Sequence, residues 1–135
     1  IDFFVSGVGT AGTIIGAGSA HKEYNQGIKV VAVEPETSAV LSKKTAGKHK
    51  LQGIGAGFVP PLFDYEVVDR IVTVDDDNAF KTVQILSKTE GLLIGLSSGA
   101  ALYAATVIAR EQQDKNIVVV FPDSGEKYLS TGVFG

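Results

Sequence analysis

Apolar residues in this chain gather into short continuous runs, set between stretches where they recur at helical spacing. Phe3, Phe4 and Val5 form the first run, which ends in a glycine-dense turn, Gly7-Val8-Gly9-Thr10-Ala11-Gly12. Ile14, Ile15 and Gly18 then recur at near-helical spacing, predicting a helix of about 14 residues that Gly27 stops. Residues 29–33 (Lys-Val-Val-Ala-Val) are a β-branched run closed by Glu34-Pro35, as expected of a strand covered on both faces. Residues 35–62 are the least periodic stretch and read as loop with one short helix near 38–42, the kind of long connection that usually carries function. A strand is expected over 67–74, then a helix capped by Asp75, with Ala79, Phe80, Val83 and Leu86 as its buried stripe and Gly91 at its end. A further buried strand is expected over 92–96, an alanine-rich helix to about Gln113, and a last strand over 116–121.

That alternation of strands and helices predicts an α/β fold: one domain over residues 1–135, with a mostly parallel sheet and helices on both faces. Ligands of such sheets sit beyond the carboxyl ends of the strands. The segments 7–13, 34–35, 97–98 and 122–125 all fall there and define the candidate site.

Composition removes several kinds of chemistry. The chain has no cysteine, which excludes disulfides, thiolate metal sites and cysteine nucleophiles. His21 and His49 stand apart without a carboxylate at ligand spacing, so no metal site is expected. A net charge of −3 and a pI near 5.3 give no electrostatic footprint for nucleic acid or an anionic membrane. The apolar runs fall far short of the roughly 20 residues of a membrane span. Methionine is absent even at position 1, and the first residues already read as a strand. The expectation is therefore a piece of a longer protein.

The glycine turn admits more than one account. It satisfies G-x-G-x-x-G between a strand and a helix, and Glu34 lies 22 residues beyond Gly12, near where a dinucleotide's ribose-binding acid belongs. On that account the chain is the nicotinamide-binding domain of a dehydrogenase. Alternatively, Gly9, Thr10, Ala11, Gly12 and Thr13 form a phosphate cup: consecutive N–H groups at a helix N-terminus favour an anion, and two threonine hydroxyls add donors. The plainest account is a tight turn that needs glycine only for its backbone angles. Two more segments, Gly95-Leu96-Ser97-Ser98-Gly99-Ala100-Ala101 and Ser124-Gly125-Glu126-Lys127-Tyr128-Leu129-Ser130-Thr131, have no assigned task in a nicotinamide domain.

Together with Ser6-Gly7-Val8-Gly9-Thr10-Ala11-Gly12-Thr13 and His49-Lys50-Leu51-Gln52-Gly53-Ile54-Gly55-Ala56-Gly57-Phe58, those segments resemble the cysteine synthases (O-acetylserine sulfhydrylases), which are fold-type II pyridoxal-phosphate enzymes. The resemblance runs in order over essentially the whole chain. It implies the larger C-terminal part of such an enzyme, with pyridoxal 5'-phosphate as cofactor. Gly9, Thr10, Ala11, Gly12 and Thr13 would hold the phosphate, Ser97 would face the pyridine nitrogen, and Gly53, Ile54, Gly55 and Ala56 would border the substrate entrance. Glu34 would have no cofactor role. The Schiff-base lysine would lie upstream of Ile1, so no catalytic residue is expected in these 135 residues. Alone they should make no cysteine and bind pyridoxal phosphate weakly, if at all. The parent reaction would make cysteine and acetate from O-acetylserine and sulfide in the cytoplasm. A homodimer, and docking of serine acetyltransferase, would go with it. Ala11 stands where the family commonly has glycine; a single methyl is tolerable there if φ is negative, since only left-handed geometry penalises it strongly. A non-catalytic binding or regulatory module is the remaining alternative.

Overall fold

The computed structural model describes residues 1–134. Four strands form one sheet: β1 (Phe3–Gly7), β2 (Lys29–Pro35), β3 (Arg70–Val74) and β4 (Ile117–Val119). Their spatial order is β3-β2-β1-β4, and every pairing is parallel. The α-helices are α1 (Gly12–Tyr24), α2 (Val40–Lys43), α3 (Asp76–Glu90) and α4 (Leu96–Glu111). The α/β fold expected from the alternation of elements is the fold observed.

Each face of the sheet buries its own core. Val5, Val31, Val33 and Val72 point to one side, where they meet Val83 of α3 and Ala100, Ala104 and Ile108 of α4. Phe4, Val30 and Ala32 point to the other, against Ile14 of α1 and Val40 and Leu41 of α2. Neighbouring residues of one strand thus serve opposite cores, which is why the strands read as unbroken apolar runs. Glycine sets two close approaches. A Cβ at Gly18 would lie 3.1 Å from Val30, where α1 crosses the sheet, and one at Gly99 would lie 2.7 Å from the Ala79 carbonyl oxygen, where α3 crosses α4.

Three expectations need correction. Residues 92–96 are not a strand: Leu92 and Leu93 are exposed, Leu96 already opens α4, and only an isolated bridge joins Ile94 to Ser124. A short apolar run carries no periodicity that separates a strand from a linker. The strands expected over 67–74 and 116–121 are shorter, starting at Arg70 and ending at Val119. Ala11 has φ 72°, in the left-handed region, so the negative φ under which its methyl would be tolerated is not met. It is the residue through which the chain turns from the glycine segment into α1.

The order β3-β2-β1-β4 makes β1 the point where the winding reverses. Its chain successor β2 lies on one side, and β4, from the far end of the sequence, lies on the other. The crevice at the carboxyl end of β1 is therefore where such a sheet opens for a ligand.

Candidate functional site

A cavity of about 230 Å³ occupies that crevice. Ser6, Gly7 and the residues from Gly9 to Thr13 form its floor, Gly53 and Ile54 one wall, and Val120 and Pro122 the opposite one. A larger depression of about 490 Å³ lies on the flank of α1. It is open and lined by Lys22, Glu23, Asp64 and Glu66, with none of the strand-end glycines, and has no part in this site.

The cavity floor holds the N-terminus of α1. Gly12, Thr13 and Ile14 open α1, and the first intrahelical bond runs from the Ile15 N–H to the Ala11 carbonyl at 3.0 Å. The N–H groups ahead of Ile15 therefore lack a backbone acceptor within the helix. The Ala11 side chain makes no cap hydrogen bond, and the first turn holds no acidic residue to neutralise the dipole. Thr10 Oγ1 accepts weakly from the Gly12 N–H at 3.3 Å and is exposed, as are Gly12 and Thr13. Donors, dipole and two exposed threonine hydroxyls lie together at this helix start, an arrangement that suits an anion.

Two glycine segments close on each other to shape this cup. A Cβ at Gly9 would lie 2.5 Å from the Gly53 carbonyl oxygen, a backbone atom that cannot swing away. The Gly55 N–H donates to the Val8 carbonyl at 3.1 Å. His49 holds the second segment: its Nδ1 accepts from the Leu51 N–H at 3.1 Å, so Nε2 carries the proton and donates to the Gly55 carbonyl at 2.9 Å. Gly53, Gly55 and Gly57 all have positive φ, which glycine adopts without the cost that other residues bear. Histidine without metal-ligand spacing was legible in the sequence, but its task as a loop fastener was not.

The expected site residues thus separate into three places. Gly9, Thr10, Ala11, Gly12 and Thr13 share the cavity with Gly53 and Ile54. Gly55 and Ala56 line a smaller recess beside it, with Val8, Gly9 and Phe58, and with Glu34 behind them. Ser97 is not part of either lining; it is 2% exposed and its Oγ donates to Asp123 Oδ1 at 3.1 Å. The wall residue Pro122 is the chain neighbour of that aspartate.

Glu34 and Asp123 are the side chains whose structural tasks the sequence did not show. Glu34 is 1% exposed. It accepts from the Leu41 N–H at 2.8 Å, the Ser42 N–H at 3.0 Å and Ser42 Oγ at 2.6 Å, and so caps α2. With its oxygens committed to α2, Glu34 is not placed to bind a ribose. Asp123 gathers Ser97, Ser98 and Tyr128 at the start of α4. Burial pushes the Tyr128 phenol above its ordinary value, and the neighbouring Asp123 charge adds to the shift. Among the described residues there is no cluster of acidic or histidine side chains able to hold a metal. Among the described residues no helix is long and apolar enough to cross a membrane.

Known proteins share this architecture. Residues 1–123 match the family described as "Pyridoxal-phosphate dependent enzyme". The chain is 46% identical to the "Cysteine synthase B" of Campylobacter jejuni, covering 99% of this chain and 44% of that protein. It is 47% identical to a "Cysteine synthase" of Staphylococcus aureus, with the same two coverages. The crystal structure of O-acetyl serine sulfhydrylase isoform 3 from Entamoeba histolytica superposes with a TM-score of 0.93 at 48% identity, over 99% of this chain and 41% of that one. The chain therefore spans less than half the length of these relatives.

Proposed function

This chain belongs to the pyridoxal-phosphate dependent enzymes, and from that premise we propose that it is the cofactor-phosphate-binding part of a cysteine synthase. The proposed reaction replaces the acetate of O-acetylserine by sulfide, giving cysteine. The observation that carries the proposal is the cup at the sheet's winding reversal. There the α1 N–H groups that lack a backbone acceptor, the Thr10 and Thr13 hydroxyls, and the Gly9–Gly53 approach leave room for a phosphate and no side-chain Cβ at the closest point. The names and identities of the relatives support the same reading.

When bound, pyridoxal phosphate supplies the electron sink that makes an amino acid's α-proton acidic and its β-substituent a leaving group. The residues of this chain bind and orient. Gly9, Thr10, Ala11, Gly12 and Thr13 hold the phosphate through backbone N–H groups and hydroxyls. The segment from Gly53 to Ala56, fastened by His49, borders the substrate entrance and limits access of water. Ser97 faces the ring nitrogen. No lysine lines the cavity, so the cup itself offers no amine to condense with the cofactor. A homodimer, docking of serine acetyltransferase and a cytoplasmic location follow from the same reading and extend it.

The dinucleotide alternative is disfavoured by one observation, the commitment of the Glu34 carboxylate to α2. Calorimetric titration separates the two. Pyridoxal phosphate should bind weakly and be displaced by inorganic phosphate. Thr10→Ala and Thr13→Ala should each weaken it by about 1 kcal/mol, the scale of a lost hydrogen bond to phosphate. Tight NAD binding, lost in Glu34→Ala, would overturn the proposal.

A further inference from the structure

Residues 44–69 join α2 to β3 without a helix or strand of their own. Leu51 and Ile54 anchor the middle of this stretch in the apolar core, whereas Gly53, Ala56 and Gly57 are exposed and Gly55 is half-buried. The His49 ring bridges the anchored and the exposed parts. Its Nδ1 accepts from the Leu51 N–H at 3.1 Å, and its Nε2–H donates to the Gly55 carbonyl at 2.9 Å. The ring also touches what it holds. A Cβ at Gly55 would lie 2.6 Å from both His49 Nε2 and Pro35 Cγ, so the glycine sits between the imidazole and the end of β2.

This bridge works in one protonation state. A neutral imidazole has one donor and one acceptor, whereas an imidazolium has two donors and no acceptor. A proton on Nδ1 would point at the Leu51 N–H, donor against donor. Leu51 cannot yield, because its side chain is fully buried. The ring must turn instead, and in turning it withdraws Nε2 from the Gly55 carbonyl.

We propose that His49 is a pH-sensitive latch on this segment: the neutral ring closes it, and a second proton on the ring opens it. Histidine is the side chain whose charge changes between pH 5 and pH 8. Leu51 and Ile54 stay in the core, so the opening is confined to Gly55 and the residues after it, and it widens the recess they share with Val8 and Gly9. The latch needs no bound group and goes beyond the cofactor reading. The surrounding charges come from several elements. Lys48 and Lys50 flank the ring in the chain, are exposed, and oppose a further positive charge. From α3, Asp76 Oδ1 accepts from the Lys50 N–H at 3.1 Å and favours that charge. From β2, Glu34 lines the recess with its oxygens committed to α2. The turn after β2 brings the exposed Glu36, and Thr37, whose hydroxyl donates to the Lys48 carbonyl at 2.6 Å. Among the described residues no carboxylate pairs with His49, so nothing locks the charged form in place.

The test is nuclear magnetic resonance of the 135-residue chain, labelled with nitrogen-15 and free of phosphate and cofactor, taken from about pH 8 to about pH 5. At the upper end the His49 nitrogens should report a protonated Nε2 and a bare Nδ1. On acidification both become protonated, and the Leu51 and Gly55 amide signals should move with the same midpoint. Protection of the Leu51 amide against hydrogen exchange should fall about tenfold, the scale of one lost hydrogen bond. His49→Gln keeps a donor for Gly55 and has nothing to titrate, so those amides should no longer respond to pH. His21→Gln should keep the response, since His21 packs on Phe4 of β1, with ring centroids 5.0 Å apart. If His49→Gln shows no cooperative thermal transition, the unaltered chain and His21→Gln carry the comparison. Three results overturn the latch: a proton on Nδ1 at the upper end, a ring still neutral at the lower end, or a doubly protonated ring beside unmoved Leu51 and Gly55 amides.

Discussion

Ser42 donates its hydroxyl proton to Glu34 Oε2 at 2.6 Å, across the end of the sheet and out of reach of water on the glutamate side. The same carboxylate takes the N–H groups of Leu41 and Ser42, so a single buried charge organises the first turn of α2. Buried charge is tolerated because all three contacts are donors and none is shared with a competing acceptor. Glu34→Gln should cost about 2–3 kcal/mol, since its amide nitrogen must face an N–H donor in place of an oxygen. The check is the urea midpoint at constant slope, compared with Ser42→Ala, which removes one donor and should cost about 1 kcal/mol.

Ala11 is expected to become more stable, not less, on substitution by glycine. Its φ of 72° puts the methyl against its own carbonyl, a cost of roughly 1–2 kcal/mol. Glycine gives back part of that relief through its extra freedom in the unfolded chain, leaving a net gain of about 0.5–1 kcal/mol for Ala11→Gly. A lowered midpoint in thermal or urea unfolding would show that residue 11 does not occupy the left-handed region. Phosphate binding should be unchanged, because the N–H groups of the cup keep their directions.

Two glycines separated by one helical stretch should respond in opposite senses to the same methyl. At Gly9 a Cβ would press to 2.5 Å on the Gly53 carbonyl oxygen, so Gly9→Ala should force the two loops apart and abolish phosphate binding. At Gly16, on α1, a Cβ would meet nothing within 4 Å. Gly16→Ala should therefore stabilise the chain by up to about 1 kcal/mol, the difference in helix propensity. Titration with inorganic phosphate and unfolding by urea, run on both variants, read the two effects.

How far the sequence reveals the fold follows from which interactions are local. The α3 boundaries were legible because Asp75 accepts from the Asn78 N–H at 3.1 Å and Gly91 takes the left-handed region, both signals written within a few residues. The glycine turn between β1 and α1 was legible for the same reason. Glu34 was not: its partners lie seven and eight residues away, on a helix too short to show a period. Asp123 meets Ser97 across 26 residues, and nothing in either segment announces the other. Residues 92–96 misled because hydrophobicity reports the residue type and not the partner it finds.

Acid should weaken the chain through Asp69. Burial raises its carboxyl, but the ion pair with Lys22 Nζ at 2.7 Å and the hydrogen bond from the Val30 N–H outweigh it, and the group lies below its ordinary value of 3.8. The folded chain then binds fewer protons than the unfolded chain near that value, so stability rises with pH there. This contribution is complete above the unfolded value and fades as pH falls below 3.8 and through the lower folded one. Urea midpoints across that interval should slope less steeply in Asp69→Asn than in the unaltered chain. At neutral pH the variant should be less stable by about 1 kcal/mol, a figure held down by the partial exposure of the pair.

The strand at the centre of the sheet finds its two partners at very different distances along the chain. β2 follows after one helix, whereas the bond from the Asn116 N–H to Asp2 Oδ2 spans 114 residues. Closing so long a loop is entropically expensive, and pairings of that separation form late. Val120 and Pro122, one wall of the cavity, arrive only with β4. An intermediate holding β1, β2 and β3 could display the glycine turn and yet lack an enclosed site. The capacity to retain a phosphate should then emerge with the slowest folding phase, making ligand capture a timer for the completion of the fold.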